Sequence, residues 1–162
     1  MTMPAPRASR AWTAYLRVQY RLIRLIDPLV HPFWRAWGLG NVVELDLVGR
    51  RSGRPRRVLV GLLRADGRWY VGHPNGETAW TRNLAAADEA TLVVSWPTRL
   101  TVRHRRLGDG EERDRAIWAT SQPLFPGNVV YRIARAHIRA VGAYFVLEVV
   151  DRPAAGEGDP DA

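Results

Sequence analysis

The stretch Gly49-Arg50-Arg51-Ser52-Gly53-Arg54-Pro55-Arg56-Arg57 puts five arginines on a short segment with two glycines, a serine and a proline. Apolar runs that read as strands flank it on both sides. Such a loop is suited to a phosphate group. Glycines let backbone N–H groups approach an anion and adopt positive φ. Arginines add paired donors that stay charged at every physiological pH. Three readings stay open from the loop alone: a solvated basic turn, a contact with nucleic-acid phosphates, or the phosphate site of a bound cofactor.

A second group of residues follows: Gly72-His73-Pro74-Asn75-Gly76, then Trp80 and Asn83-Leu84. A strand ends in a Gly/Asn loop and a helix begins a few residues later. Free N–H groups at that helix start would favour an anion or a polarised carbonyl. Trp80 and Leu84 also sit one helical turn apart, as ordinary core residues do.

Other chemistries are poorly supplied. There is no cysteine, so thiol nucleophiles, disulfides and Cys-held metals are excluded. His31, His73, His104 and His137 are scattered, no His-Glu-x-x-His occurs, and no metal site is expected. All 24 basic side chains are arginine. Residues 1–60 hold eleven arginines against three acids, whereas residues 61–162 hold thirteen of each. The whole excess of +8 therefore lies in the N-terminal segment and the arginine loop. At 46% hydrophobic content the 162 residues suffice for one domain with a core. No 18-residue apolar run or signal-peptide core is present, so the expected compartment is the cytoplasm.

The elements that must position these groups read as follows. Residues 1–9 are expected to be a loose tail. A helical period runs from Arg10 to Ile26, with Trp12, Tyr15, Leu16, Gln19, Leu22, Ile23 and Ile26 on one face and Arg10, Arg17, Arg21 and Arg24 opposite. That apolar face either covers a sheet or lies on anionic lipid. Pro28 opens a new segment, and Leu29 to Trp37 reads as a second short helix ending at Gly38 and Gly40. Strands are predicted over 41–48, 58–63, 68–71, 91–96, 98–107 and 143–150, with Asp66-Gly67 as a hairpin turn. In the first of these, Val43, Leu45 and Leu47 alternate with Glu44 and Asp46. Helices are predicted over 78–87, capped by Thr78, over 111–120, and again up to Arg139 after a break at 123–127. The tail 153–162 reads as disordered. About six strands with interspersed short helices imply an α+β chain built on a small antiparallel barrel.

Taken together, the two motif segments resemble the deazaflavin-dependent nitroreductase family, within the split β-barrel group of flavin and deazaflavin oxidoreductases. The resemblance covers roughly residues 42–107 and rests on Gly-Arg-Arg-Ser-Gly-Arg-Pro-Arg at 49–56, Asp-Gly at 66–67, Asn-Gly at 75–76 and Ala-Trp-Thr-Arg-Asn-Leu at 79–84. It implies a split β-barrel of about six mostly antiparallel strands over 41–151, an N-terminal amphipathic helical segment over 1–40, short flanking helices, and a tail from 152. It implies coenzyme F-420 as cofactor, its phosphate and acidic tail held by Arg50, Arg51, Ser52 and Arg56, with Gly53, Arg54 and Arg57 in the same loop. His73, Asn75, Gly76, Trp80 and Asn83 would border the deazaflavin ring or its ribityl chain. The hydride donor would be the reduced cofactor itself, so the protein orients and polarises.

Three departures bear on activity. Val60-Gly61-Leu62-Leu63 stands where the family often has Pro-Leu-Leu-Tyr. Ala79 stands where many members have proline. Phe125-Pro126 is followed by Asn128 and Tyr131, of which Tyr131 alone matches a tyrosine position of nitro-reducing members. Tyr131 is the candidate proton donor, Tyr144 a second phenol to weigh, and core packing the ordinary role of both. The implied acceptor is a small electron-poor molecule: a quinone, an enone or a nitroaromatic. FMN is the alternative cofactor, since an arginine loop suits any phosphate. A non-catalytic cofactor- or nucleic-acid-binding module is the rival class, with Trp69, Tyr70 and Trp96 as its stacking surface. The reductase reading expects no nucleic-acid partner, leaves monomer and homodimer open, and allows a peripheral position on the inner face of a membrane.

Overall fold

The computed structural model describes residues 8–37, 40–120 and 127–151. Residues 1–7 of the expected tail at 1–9, the tail at 152–162, Gly38, the Phe125-Pro126 turn, and the side chains of Ile23, Arg24, Ile26 and Asn128 lie outside the described residues. Ser9, expected in that tail, is instead fixed by its N–H bond to His137 Nδ1.

Seven strands make one antiparallel sheet: β1 (Val42–Val48), β2 (Pro55–Gly61), β3 (Leu63–Ala65), β4 (Arg68–His73), β5 (Glu89–Ser95), β6 (Thr98–Arg106) and β7 (Ala143–Asp151). Their order across the sheet is β2-β1-β5-β6-β7-β4-β3. β2 and β3 thus occupy opposite edges, yet only Leu62 separates them in the chain. A flat seven-stranded sheet would be about 29 Å across, at ~4.8 Å per strand. Two residue steps reach about 7 Å. The sheet must therefore curl until its edges meet. Leu62 is held at this corner: its N–H donates to Asn41 O at 2.7 Å, and Asn41 Nδ2 donates to Leu62 O at 3.3 Å. The sequence predicts one continuous strand over 58–63; the structure extends it back to Pro55 and breaks it at Leu62.

Curling gives the sheet two apolar layers. Val43, Leu45, Val60, Leu62, Val71, Leu92, Val102 and Leu147 fill the interior, joined by Leu84 of α2 (Ala79–Ala85). Outside, Leu63, Tyr70, Tyr144 and Val146 pack against Ile117 of α3 (Glu111–Thr120) and Ile138 of α5 (Arg135–Val141), beside α4 (Gly127–Ile133). Local chemistry sets the turns. Asp66 and Gly67 both have positive φ, 49° and 72°, as a two-residue type I′ hairpin needs. Thr78 caps α2 in a reciprocal box with Thr81.

The N-terminal segment differs from expectation. A single helix, α1, runs from Arg10 to Trp37 through Pro28 and Pro32. The two prolines are one turn apart and exposed, so carbonyls left without a donor can take water. Its barrel-facing side is also shifted round. Leu16 and Trp34 are buried, while Tyr15 and Leu22, expected on that face, are exposed. Glu44, expected on the polar side of β1, is fully buried under α1. There its Oε2 lies 3.2 Å from His31 Nε2 and 3.4 Å from Arg35 Nη2. A carboxylate is tolerated because the helix laid over it brings the Arg35 guanidinium and the His31 ring. Trp34 Nε1 donates to Val42 O at 2.7 Å, fixing the same end of the helix.

β4 extends two residues further than predicted, so Gly72 and His73 are strand residues. Gly72 pairs with Tyr144, whose ring lies across it. A Cβ at Gly72 would sit 2.2 Å from Tyr144 Cδ1. Gly72→Ala is therefore expected to destabilise the fold by about 3 kcal/mol, the upper range for overpacking, measured as a lowered urea midpoint.

Candidate functional site

The arginine loop joins β1 to β2 and closes on itself. Gly49 N–H donates to Arg54 O at 2.9 Å, and the N–H groups of Ser52 and Gly53 both donate to Gly49 O. Gly53 has φ +64°, which favours glycine, and a Cβ at Gly49 would meet Ser52 Oγ at 2.7 Å and Arg54 O at 3.3 Å, so a side chain there would have to displace the serine hydroxyl. Arg54 N–H is close to Ser52 Oγ at 3.4 Å, and Arg50 N–H donates to Asn83 Oδ1 at 3.3 Å. From 49 to 54, Arg51 has the one amide without a partner among the described residues. The loop thus offers an anion its side chains rather than a nest of free amides, which corrects the expectation from its glycines.

Those side chains are exposed and uncompensated. Six other sheet arginines are matched: Arg57 and Arg99 to Asp46, Arg68 and Arg105 to Glu112, Arg103 to Glu89, Arg106 to Glu77. Arg57 is thereby turned away from its neighbours towards Asp46, at 3.5 Å. Among the described residues, no carboxylate pairs with Arg50, Arg51, Arg54 or Arg56. Four guanidinium groups on the loop and the start of β2, with no carboxylate paired to them among the described residues, concentrate positive potential at this end of the barrel.

Asn83 ties the loop to α2. That helix has seven residues, about 10 Å of rise. Trp80 on it is half-buried against the interior core. Two amides at its start are taken by its own cap: Thr78 N–H donates to Thr81 Oγ1 at 2.8 Å, and Thr81 N–H returns to Thr78 Oγ1. The first-turn amides of Ala79 and Trp80 are not engaged by that cap.

Before α2 the chain enters a second polar cluster. His73 is buried, its ring 4.3 Å from that of Tyr20 on α1, and its Nδ1 accepts from Asn75 N–H at 3.3 Å. Burial pushes the His73 ring down to about 4. Asn75 Nδ2 donates to Thr13 O at 3.1 Å, and Asn75 Oδ1 lies 3.1 Å from His137 Nε2. His137 Nδ1 accepts from Ser9 N–H at 3.0 Å, so its Nε2 must carry the proton given to Asn75. Gly76 has φ +87°, which favours glycine there. Tyr20 and Tyr131 share a hydrogen bond between their hydroxyls at 2.9 Å, and burial raises both phenols above their ordinary range. Both stay protonated at neutral pH. One of the two hydroxyl protons lies between them.

The structure brings Arg50 and Asn83 together, and places His73, Asn75 and Tyr131 in one network. The two groups sit at opposite ends of α2. Sequence reading missed Tyr20, His137 and Ser9, whose partners lie 53 to 128 positions away; no local pattern signals them. Tyr144 is fully buried and accepts a hydrogen bond from Thr120 Oγ1, a core role. Tyr70 is likewise buried and Trp69 packs on the interior, so they offer no stacking surface to a nucleic acid. Two open clefts, about 300 and 520 Å³, are lined by other residues, such as Arg68 with Val149 and Asp88 with His104. None of the expected cofactor residues lines them, and the candidate site is a surface track along α2.

No family model and no curated protein matches the chain. Solved structures do. A chain described as a domain-swapped dimer aligns with TM-score 0.51 and 17% identity, over 80% of this chain and 99% of that one. A protein of unknown function from Agrobacterium tumefaciens aligns with TM-score 0.49 and 16% identity over 67% of this chain; the match spans about half of that protein, 48%. A reductase dependent on reduced F-420 aligns with TM-score 0.47 and 20% identity, over 65% of this chain and 93% of that one. At these identities the likeness concerns the fold, which is α+β and of the split β-barrel type.

The two histidines set a pH dependence. An unfolded histidine takes up a proton near 6.5, whereas folded His73 resists until about 4 and folded His137 is also lowered. Below 6.5 the unfolded chain binds more protons, so stability is full above that pH and falls as pH drops towards 4. The loss from His73 alone amounts to roughly 3 kcal/mol. Urea unfolding from pH 7 to pH 4 is expected to show this slope, and His73→Gln to remove most of it.

Proposed function

We propose that the chain is a deazaflavin-dependent oxidoreductase that reduces an electron-poor small molecule of the quinone, enone or nitroaromatic class. The observation that carries this reading is the uncompensated arginine loop, tied through Asn83 to the helix that bears Trp80. The split-barrel fold and the motif resemblance support it. The donor set fits coenzyme F-420: Arg50, Arg51, Arg54 and Arg56 can take a phosphate and an acidic tail together, and Ser52 supplies a hydroxyl. FMN has the phosphate but not the tail, and four free guanidinium groups exceed what one phosphate needs.

When bound, the reduced cofactor supplies the hydride. The protein's part is to hold and orient. The arginine loop anchors the anionic end, and Trp80 offers an aromatic edge beside the track. Asn75 and Gly76 shape the entry to α2. Tyr131, bonded to Tyr20, holds a proton at Oη that can pass to the acceptor as it gains the hydride, with water restoring it. The reading goes with a cytoplasmic protein, peripheral at the inner face of the membrane when the acceptor is a lipid-soluble quinone.

Titration with reduced and oxidised F-420, followed by tryptophan fluorescence, tests this, with FMN and single-stranded RNA alongside. Saturable binding of the deazaflavin alone is expected. Tight FMN or RNA binding instead would reassign the loop. Substituting Arg50→Ala with Arg51→Ala should weaken deazaflavin binding about tenfold or more, from the loss of two charge-assisted contacts. An unchanged affinity in a folded variant would remove the clamp.

A further inference from the structure

Helix α1 carries two apolar faces, and the barrel uses one. Leu16 and Trp34 mark the face that packs down. Roughly 120° further round, at 3.6 residues per turn, runs a second line. It comprises Tyr15, Val18, Leu22, Leu25, Leu29, Phe33 and Trp37, every one between 48% and 77% exposed. The spacing is three or four throughout, so the line is continuous for about 33 Å, at 1.5 Å per residue. The rings of Phe33 and Trp37, 5.3 Å apart, close one end, and Tyr15 closes the other. Isolated surface leucines need no explanation, but a stripe of this length on one element does.

Charge decides what covers it. The third face of the helix presents Arg10, Arg17 and Arg21, all exposed, and among the described residues no carboxylate pairs with them. Over residues 10–37 the sequence holds five arginines and one acid, Asp27. A second copy of the helix laid against the stripe would bring a like-charged row and almost nothing to neutralise it. An anionic lipid surface supplies both needs: acyl chains for the stripe and headgroups for the arginines flanking it. Aromatic residues at both ends suit the depth between chains and headgroups. No described helix is long and apolar enough to cross a membrane.

We infer that α1 is a two-sided adaptor, one face seated on the barrel and the other lying in the surface of an anionic bilayer. This deepens the reductase reading by naming the surface from which the acceptor would come, but its test needs no cofactor. Co-sedimentation is measured with vesicles of equal parts phosphatidylglycerol and phosphatidylcholine, and with phosphatidylcholine alone. The full chain is expected to bind the anionic vesicles, to bind the neutral ones far less, and to be released as salt rises. Leu25→Glu with Leu29→Glu, and separately Arg17→Glu with Arg21→Glu, should each weaken binding about tenfold or more. All four positions are exposed, so circular dichroism should remain that of the parent. Absence of vesicle binding by the parent, or equal binding by the leucine variant, would overturn the inference. So would a dimer in vesicle-free solution that the leucine substitutions dissociate, since a second copy would then own the stripe. Failure of deazaflavin binding with vesicle binding intact bears on the reductase reading alone.

Discussion

Leu62 stands alone between the last residue of one edge strand and the first residue of the other. A link that short cannot cross an open seven-stranded sheet, so closure is imposed by covalent reach. Much else follows from it. Closure gives Val60 on β2 and Val71 on β4 a shared interior, though the sheet order sets them far apart. It also brings the β1–β2 loop to one end of a barrel and the close of β4 to the α1-covered side. The hydrogen bonds between Leu62 and Asn41 fix the corner just ahead of β1, whose far end carries the arginine loop.

Charge is distributed in two modes on this frame. Six arginines of β2, β4 and β6 are paired with Asp46 on β1, Glu89 on β5, Glu112 on α3 or Glu77 ahead of α2, which holds the potential of the barrel wall low. The arginine loop and the outer row of α1 are left unmatched. Exposed ion pairs contribute little to stability individually, so the significance of the pattern lies in where positive potential survives. It survives at the end of a helix-lined track and along a helix with a free apolar face, two places where an anionic partner can approach.

The cluster around Asn75 links these parts. Its side chain bonds to the α1 backbone at Thr13 and to His137 on α5, and its own amide bonds to His73. The bonds that His73 Nδ1 and His137 Nδ1 accept require neutral histidines, and each bond constrains the next. The segment that leads into α2 therefore takes its position from α1. A helix whose sequence leaves open whether it covers the sheet or lies on lipid helps to hold the candidate site.

Features set between neighbours were legible in the sequence. The Asp66-Gly67 turn, the Thr78 cap and the helix at 111–120 depend on residues within a turn of one another. The arginine cluster is a property of composition alone. The α1 faces were only half legible, because helical period reveals that apolar residues align but not which of two adjacent apolar lines the barrel will take. Glu44 read as a solvent-facing strand residue, since nothing near it in sequence foretells a helix above it. The Ser9–His137 and Asn75–Thr13 bonds join residues 128 and 62 positions apart. By itself, then, the sequence determined turn chemistry, strand alternation, the excess of positive charge and the gathering of arginines on one loop. Tertiary structure decided closure, the buried partners of Glu44, the neutral state of His73 and His137, and which face of α1 stays open. Local preferences act through a few dihedrals and adjacent side chains, whereas burial and pairing exist only once distant segments meet.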